Sequence, residues 1–439
     1  MFKIKPPKKI RASLRIEGDK SISHRAVILS SLSEQTTKII NFLDSQDTLT
    51  TLEAFEELGV EIKYKKSKRE LFVKGRGKYL NSPDVTLQMK NSGTTIRLIS
   101  GVLSAQKFSS TLEAYPSLKR RPMRRIAEPL RRMGANIKGR LKDEEEYPPL
   151  RIKPVSFLKG IEYRLPVASA QVKSCLLLAS LYAKGPTLIY EPYKSRDHTE
   201  RMLKVFGAKI KVKAETIRIE NSDLKSPSQI FIPNDFSSAS FFIALAVLFK
   251  DSKLLLEKIS LNPSRIGFLR VLKRMGAKVE FKNIRRSYFE PYADILVKTS
   301  PLKGVEVKEE EIPFMIDELP LLFVLASFAK GTTQIYGLKE LRVKETDRIK
   351  SMEDNLKRMG VNFRVRGYIN SKREQDLMVE IKGGTKFRET FLKSFLDHRT
   401  AMSLIIASLA LKREAVIDNV ACINKSFPKF LSTLRSLDK

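Results

Sequence analysis

The chain repeats one pattern of apolar and polar positions along its length. Each copy is an amphipathic helix, with apolar residues three or four positions apart, followed by a glycine and a short apolar strand. The glycines that follow the helices are spaced by 75, 73, 69 and 84 residues, and they are Gly59, Gly134, Gly207, Gly276 and Gly360. Glycine is typical of this position because it adopts the left-handed conformation that ends many helices. A sixth helix, within residues 427–437, follows at about the next expected position, so six units account for the 439 residues.

A second helix precedes each amphipathic helix, and it is apolar nearly all round. The six helices begin at the segments SHRAVILSSL, TTIRLISGVL, AQVKSCLLLA, SASFFIALAV, LPLLFVLASF and TAMSLIIASL. Helices of this kind are expected to be buried inside a domain. Strands rich in β-branched residues, such as TTKIINF and TLIYE, follow several of them. Each unit is therefore predicted to alternate strands and helices, which gives an α/β or α+β fold built by repetition.

Polar residues stand immediately before each apolar helix. They read GDKS, KNSG, VASA, PNDF, MIDE and LDHR. Helix capping explains about half of these side chains, because Ser, Asn and Asp are good N-caps. Capping does not explain the cations Lys20, Arg25, His398 and Arg399, since the positive end of the helix dipole disfavours them. An anion held between these cations and the free backbone N–H groups would explain them. If the six helices converge, their N-termini are predicted to form one anion site.

Composition narrows the functional classes. The chain has 82 Lys and Arg against 49 Asp and Glu, a net charge of +33. Three interpretations remain open at this point: a nucleic-acid binder, a site for small polyanions, or a basic surface without a specific target.

The longest mostly apolar stretches, Ala239–Phe249 and Leu319–Ala329, are shorter than the roughly 20 residues of a membrane span. The first residues lack the apolar stretch of a signal peptide, so we expect a cytoplasmic protein. Two Cys and three His, with no metal-binding spacing, predict neither a disulfide framework nor a metal site.

Nine motifs, which run in order from residue 18 to residue 430, resemble the 5-enolpyruvylshikimate-3-phosphate synthase family. GDKSISHR and RVKETDR are specific to it, whereas NSGTT or DHR alone would be weak. The motifs are GDKSISHR (Gly18–Arg25), NSGTTIRL (Asn91–Leu98), KRRPM (Lys119–Met123), SAQVKS (Ser169–Ser174), RDHTERML (Arg196–Leu203), MIDELP (Met315–Pro320), ELRVKETDR (Glu340–Arg348), DHRTAM (Asp397–Met402) and NKSFPKF (Asn424–Phe430).

The resemblance implies a reaction of the shikimate pathway, which leads to chorismate and the aromatic amino acids. The enolpyruvyl group of phosphoenolpyruvate is transferred to the 5-hydroxyl of shikimate 3-phosphate, and phosphate is released. Members work by addition and elimination through a tetrahedral intermediate, with no metal and no organic cofactor. The resemblance also implies a monomer that binds two small anionic substrates, and neither nucleic acid nor a membrane. Gly93, which leaves the donor subsite uncrowded, implies a target of glyphosate.

The resemblance further implies two similar domains, each built of three βαβαββ-like units as an inside-out α/β barrel, with a cleft between them. The first domain would be discontinuous, with residues 1–18 plus 236–439 and repeats four to six. The second would hold residues 19–235 and repeats one to three. This agrees with the six repeats found in the sequence.

Site residues follow from the resemblance, position by position. Asp317 is the leading base at the 5-hydroxyl, Glu345 and Lys20 are the leading proton donors to the methylene carbon, and the division among these three stays open. The phosphoenolpyruvate subsite would contain Lys20, Asn91, Gly93, Arg121, Gln171, Arg348, Arg399 and Lys425. The shikimate 3-phosphate subsite would contain Lys20, Ser21, Arg25, Ser169, Ala170, Gln171, Arg196, Asp317 and Lys344.

Two positions depart from the most familiar pattern of the family. Ala170 stands where many members have a second Ser, and Arg196 would compensate for the missing hydroxyl. Glu340 stands where others have Asn, which puts the shikimate contacts near it in doubt.

Two alternatives compete with this interpretation. The UDP-N-acetylglucosamine enolpyruvyl transferases usually carry a reactive Cys in the loop before their RP motif, whereas the segment Thr111–Pro122 has none. A nucleic-acid-binding protein of related repeat fold, as in the RNA 3′-phosphate cyclases, is suggested by the charge. The ordered motifs favour the shikimate enzyme over both.

Overall fold

The computed structural model describes residues 1–84, 86–370, 375–384, 386–388 and 391–438. The α-helices within these ranges are Lys20–Ser31 (α1), Gln46–Glu57 (α2), Gly93–Leu103 (α3), Arg124–Arg132 (α4), Ala170–Ser180 (α5), His198–Val205 (α6), Phe236–Leu248 (α7), Gly267–Arg274 (α8), Leu319–Phe328 (α9), Arg348–Arg358 (α10), His398–Ala410 (α11) and Phe430–Arg435 (α12). The described helices include none with the length and apolar character needed to cross a membrane.

The strands within these ranges are short, from two to nine residues. They are Phe2–Ile4 (β1), Arg11–Leu14 (β2), Thr36–Ile40 (β3), Glu61–Lys65 (β4), Glu70–Lys74 (β5), Leu87–Gln88 (β6), Ser110–Glu113 (β7), Asn136–Lys142 (β8), Glu145–Lys153 (β9), Glu162–Arg164 (β10), Thr187–Tyr190 (β11), Ile210–Lys213 (β12), Thr216–Ile219 (β13), Gln229–Phe231 (β14), Lys253–Ser260 (β15), Lys278–Arg286 (β16), Pro291–Lys298 (β17), Glu306–Val307 (β18), Thr332–Ile335 (β19), Asn362–Ile369 (β20), Gln375–Lys382 (β21) and Ala415–Ile417 (β22).

The chain forms two compact units, each with its own hydrophobic core. Unit 1 contains Met1–Glu17, Asn234–Arg285 and Pro291–Lys439. Unit 2 contains Gly18–Pro233 and Arg286–Glu290.

One sheet topology recurs through both units. The described residues form five four-stranded sheets, ordered β14-β3-β5-β4, β6-β7-β9-β8 and β10-β11-β13-β12 in unit 2, and β2-β15-β17-β16 and β18-β19-β21-β20 in unit 1. In each, the first strand pairs parallel with the second, and the second pairs antiparallel with the third. The repeats read from the sequence therefore correspond to repeated structural units.

Two of the sheets take their first strand from a distant part of the chain. β14 pairs with β3, with Gln229 opposite Lys38 and Phe231 opposite Ile40. β2 pairs with β15, with Arg11 opposite Lys253. These strands have three and four residues, too few to show a hydrophobic period in the sequence.

The sixth repeat is reduced. Its strand β22 pairs antiparallel with β1 at the beginning of the chain, with Phe2 opposite Ile417. On its other side Ile417 forms a single parallel bridge with Leu392. Within the described ranges, this repeat has no four-stranded sheet of its own.

The apolar helices are buried, as their sequences predict. α1, α3 and α5 lie in the core of unit 2, and α7, α9 and α11 lie in the core of unit 1. The close approach of α3 to α5 in unit 2 depends on Gly101 of α3, because a Cβ there would lie 2.2 Å from the carbonyl oxygen of Cys175 in α5. The glycines that follow the amphipathic helices all have positive φ, from 77° at Gly207 to 102° at Gly276, which confirms the predicted helix ends.

Side-chain caps begin five of the six apolar helices. Asp19, Ser92, Ser169, Asp235 and Asp397 each accept a hydrogen bond from a backbone N–H in the first turn. α9 is the exception, because its N-cap residue, Glu318, makes no such bond. Asp317, the residue before Glu318, contacts two arginines.

Candidate active site

The first candidate residues of unit 2 lie at the beginning of α1. Asp19 caps this helix through the N–H of Ile22, at 2.9 Å, and Lys20 follows it. Nζ of Lys20 lies 3.0 Å from Oδ2 of Asp47, a buried carboxylate in α2. Burial, reinforced by the charges of Lys20 and Arg25, holds the pKa of His24 well below its ordinary value of 6.5. His24 is therefore neutral near pH 7 and adds no positive charge here.

Arg25 lies one turn further along α1, and its guanidinium is held by neutral oxygens. Nε donates to Oγ1 of Thr199 at 2.6 Å, and Nη2 donates to Oγ of Ser174 at 2.8 Å. Nη1 donates to the carbonyl oxygen of Ser21 at 2.9 Å. These three hydrogen bonds fix the orientation of the guanidinium.

Arg121 lies against the beginning of α3. A Cβ added to Gly93, the first residue of this helix, would lie 2.4 Å from Nη1 of Arg121. Only glycine leaves room for the guanidinium in this position. Asn91, two residues earlier, accepts a hydrogen bond from Oγ of Ser117. The structure thus brings three residues of the predicted phosphoenolpyruvate subsite to the N-terminal end of one helix.

Gln171 joins this group through the first turn of α5. Its Oε1 accepts a hydrogen bond from Nη1 of the buried Arg97, and its Nε2 donates to Oγ1 of Thr94 at 3.0 Å. Arg97 also donates to the carbonyl oxygen of Pro122 at 3.1 Å. Arg97 therefore connects α3, α5 and the residue that follows Arg121.

The remaining candidates of unit 2 lie at the starts of α5 and α6. Ser169 caps α5 by accepting a hydrogen bond from the N–H of Val172, and Ala170 is the first residue of that helix. Arg196 is half-buried in the loop that precedes α6.

In unit 1, Arg348 is surrounded by carboxylates. It is the first residue of α10, 1% exposed. Its Nε lies 3.0 Å from Asp397, its Nη1 3.3 Å from Asp317 and its Nη2 2.7 Å from Glu345. Burial alone would lower the pKa of Arg348, but the charges of Asp397, Glu345 and Asp317 raise it above its ordinary value. This permanently charged group therefore holds together two predicted catalytic carboxylates.

Arg399 lies on the other side of Asp317. Arg399 stands two residues after Asp397, the N-cap of α11. The backbone N–H of Arg399 donates a hydrogen bond to Oδ1 of Asp397 at 2.7 Å. Nη2 of Arg399 lies 4.0 Å from Oδ2 of Asp317, and Nη1 lies 3.7 Å from Oε1 of Glu318. Asp317 is thus held between two arginines.

The other predicted cations of unit 1 lie in irregular segments. Nζ of Lys344 lies 3.7 Å from Oε2 of Glu340, one of the two residues that depart from the family pattern. Lys425 is half-buried at the end of a short 3-10 helix, Ala421–Lys425.

Two residues with structural roles at the site, Glu318 and Thr199, escaped the sequence interpretation. Glu318 is fully buried beside Arg399, and it is hydrogen-bonded by Ser237. Thr199 orients Arg25 from a position 174 residues away. Glu318 lies inside the motif MIDELP, and Thr199 lies inside the motif RDHTERML. Their place in these motifs was the signal from which the sequence could have identified them. The individual assignments to subsites stay predictions.

Comparison with solved structures first defines the class of protein. The chain shares its fold with the enolpyruvyl transferase NikO from Streptomyces tendae, at a TM-score of 0.75 and 18% identity, covering 99% of this chain and 96% of that one. It also matches an EPSP synthase from Acinetobacter baumannii at a TM-score of 0.85 and 40% identity, covering 99% and 97%. The predicted two-domain, inside-out α/β fold class is therefore confirmed, and the class is that of the enolpyruvyl transferase fold.

Sequence comparison then narrows the class to one family. The profile described as EPSP synthase (3-phosphoshikimate 1-carboxyvinyltransferase) matches residues 4–434. The 3-phosphoshikimate 1-carboxyvinyltransferase of Thermodesulfovibrio yellowstonii is 47% identical over 439 residues, which covers 99% of both chains. That of Petrotoga mobilis is 46% identical over 432 residues, covering 98% of this chain and 97% of the relative. The chain belongs to the EPSP synthase family, and the two alternatives raised from the sequence are not favoured.

Proposed function

We propose that the chain transfers the enolpyruvyl group of phosphoenolpyruvate to the 5-hydroxyl of shikimate 3-phosphate, releasing phosphate. The observation that carries the proposal is the match of nearly the whole chain to one family, at up to 47% identity in the relatives named above. The contacts within each unit support it, because they gather cations suited to anionic substrates beside carboxylates suited to proton transfer.

The cations of unit 2 are suited to binding phosphate and carboxylate groups. Arg25 and Arg196 would bind the phosphate of shikimate 3-phosphate, with Lys20, Ser21, Ser169, Ala170 and Gln171 completing that subsite in unit 2. Arg121, Asn91 and the N–H of Gly93 would bind phosphoenolpyruvate, together with Lys20 and Gln171. A guanidinium suits these partners because its planar fork donates two parallel hydrogen bonds.

The carboxylates of unit 1 are suited to the proton transfers. In the addition step, the 5-hydroxyl oxygen would bond to C2 of phosphoenolpyruvate while its proton passes to Asp317, and C3 would gain a proton from Glu345 or Lys20. In the elimination step, C3 would return a proton to the group that donated it and C2 would lose phosphate, which restores the double bond. Arg348, Arg399, Lys344 and Lys425 would offset the negative charge of the substrates and of the leaving phosphate.

The direct test is a phosphate-release assay with both substrates. We expect stoichiometric phosphate release that requires shikimate 3-phosphate and phosphoenolpyruvate together. Release with UDP-N-acetylglucosamine in place of shikimate 3-phosphate, or no release from folded protein, would contradict the proposal. Proton donation to C3 is followed in deuterated water, where a variant of the true donor, Glu345→Gln or Lys20→Met, should lose deuterium incorporation into C3.

The domain, assembly and location assignments complete the proposal. Units 1 and 2 would be the two domains expected from the sequence, each with three repeats. The protein would act as a monomer, because the residues expected in both subsites all belong to one chain. We expect it to act in the cytoplasm. Light scattering after size exclusion tests the monomer, and a stable dimer would contradict it.

A further inference from the structure

A buried ionic cluster lies beside the loop that carries Arg196. Lys173 of α5 has no exposed surface, and its Nζ lies 2.9 Å from Oε2 of Glu191 and 2.6 Å from Oε1 of Glu200. We call these three residues the Lys173 cluster. Both carboxylates are buried as well, at 7% and 4% exposure. Because apolar residues of similar volume often replace buried ion pairs without loss of stability, stability alone does not account for three buried charges.

The Lys173 cluster holds the chain on both sides of Arg196. Glu191 accepts a hydrogen bond from the backbone N–H of Ser195 at 3.0 Å and a second one from Ser195 Oγ. Glu200 lies in α6, which begins two residues after Arg196. The residue before Arg196 and the helix after it are therefore both attached to Lys173, one of them through Glu191.

The neighbours of the Lys173 cluster also orient Arg25. Thr199, beside Glu200 in α6, accepts the hydrogen bond from Nε of Arg25 at 2.6 Å. Ser174, beside Lys173 in α5, accepts from Nη2 at 2.8 Å. The two hydroxyls lie 2.6 Å apart and are themselves hydrogen-bonded. A shift of α6 relative to α5 would therefore displace the guanidinium of Arg25.

We propose that the Lys173 cluster positions Arg196 and Arg25 to bind the phosphate of shikimate 3-phosphate. The inference rests on the proposed function, in which both arginines bind that phosphate. Bidentate binding is stronger when each guanidinium plane is oriented before the anion arrives, and the cluster acts through the arginines without touching the substrate.

Glu191→Gln tests the proposal, because glutamine keeps the size of the side chain and its acceptor oxygen but removes the charge opposite Lys173. We expect the dissociation constant for shikimate 3-phosphate, measured by calorimetry, to rise about tenfold. The KM for phosphoenolpyruvate should change less than about twofold, because Asn91, Gly93 and Arg121 of that subsite lie outside α5 and α6. The matched control is Glu146→Gln, which removes a carboxylate, 6% exposed, that pairs with Arg131 at 2.7 Å in the same unit. Glu146→Gln should lower the melting temperature but leave the dissociation constant for shikimate 3-phosphate and the KM for phosphoenolpyruvate unchanged.

The outcomes separate this inference from the proposed function. Absence of phosphate release by the wild-type protein contradicts the proposed function, and the inference falls with it. If the wild type is active and Glu191→Gln binds shikimate 3-phosphate within about twofold of it, the inference alone is overturned. Equal weakening of both substrates also overturns it, since the cluster would then be only structural.

A second variant decides the question if Glu191→Gln does not fold. Ser195→Ala removes the Oγ contact to Glu191 and leaves the ion pairs intact. A rise of about threefold in the dissociation constant for shikimate 3-phosphate supports the inference, because one of two contacts to Glu191 is lost. An unchanged constant overturns it.

Discussion

Replacing Gly93 with alanine is expected to weaken phosphoenolpyruvate binding without unfolding the protein. The new Cβ would lie 2.4 Å from Nη1 and 2.9 Å from Cζ of Arg121. Ordinary van der Waals contact begins at 3.4 Å, so the guanidinium must retreat by about 1 Å. These atoms end a flexible side chain, so the retreat costs little folding free energy.

The retreat is expected to be costly for binding. A displacement of about 1 Å spoils the planar two-bond geometry with which a guanidinium binds a carboxylate or phosphate. Hydrogen bonds to charged groups contribute about 1.5–3 kcal/mol, so the KM for phosphoenolpyruvate should rise about 10- to 100-fold. Steady-state phosphate release, with each substrate varied in turn, measures this rise and should show a KM for shikimate 3-phosphate within about twofold of wild type. Glyphosate inhibition should weaken in the same assay.

Gly101→Ala is the control, because its new Cβ meets backbone instead of a side-chain end. That Cβ would lie 2.2 Å from the carbonyl oxygen of Cys175 in the facing helix. Overpacking of this kind costs about 1–3 kcal/mol of stability, and the folded fraction should keep both KM values. If Gly93→Ala leaves the KM for phosphoenolpyruvate unchanged, Arg121 does not bind this substrate. If Gly93→Ala melts as early as Gly101→Ala, the steric reasoning is wrong.

Three further predictions concern single side chains. Asp317→Ala should lower turnover by about two orders of magnitude or more, while calorimetry shows nearly unchanged binding of shikimate 3-phosphate; wild-type turnover would remove Asp317 as the base. Arg348→Met should lower the free energy of unfolding in urea by about 3–5 kcal/mol, because three carboxylates lose their shared cation; a loss below about 1 kcal/mol would contradict the buried network. The wild type should lose up to about 1.4 kcal/mol of stability per pH unit as pH falls below 6.5, because unfolded His24 binds a proton there and folded His24, with its lowered pKa, does not. Urea titrations at pH 7.5 and 5.5 measure the free energy of unfolding, and its decrease between these pH values should be smaller in His24→Gln than in the wild type. An equal decrease in the two proteins would refute the role of His24.

The repeats, the buried helices and the helix ends could be predicted from the sequence because each depends on local patterns. The period of apolar residues shows which helices are buried, and a glycine such as Gly360 marks a left-handed end. The strand partners β14 and β2 could not be predicted, because three or four residues carry no period and their partners are distant in the chain.

Side-chain partners across long separations were equally hidden. The polar residues before α9 looked like caps, yet Asp317 contacts Arg348, 31 residues later in the chain. The cap of α11, Asp397, serves a second purpose, because its other oxygen contacts the same arginine. Local sequence shows that such a carboxylate stands before a helix, and only the packing of two helices shows which cation it faces.

Arg25 and Arg348 are held by different chemistry, and we expect this difference to separate binding from proton transfer. Arg25 in unit 2 donates hydrogen bonds to Ser174, Thr199 and a backbone carbonyl, and these neutral groups orient its guanidinium. Arg348 in unit 1 is surrounded by carboxylates, so its charge already serves to keep Asp317 and Glu345 close to each other. Acidic groups so close together repel one another unless a cation lies between them. Substitution of Arg25 should therefore act mainly on affinity for the phosphorylated substrate, whereas substitution of Arg348 should act first on stability and on turnover.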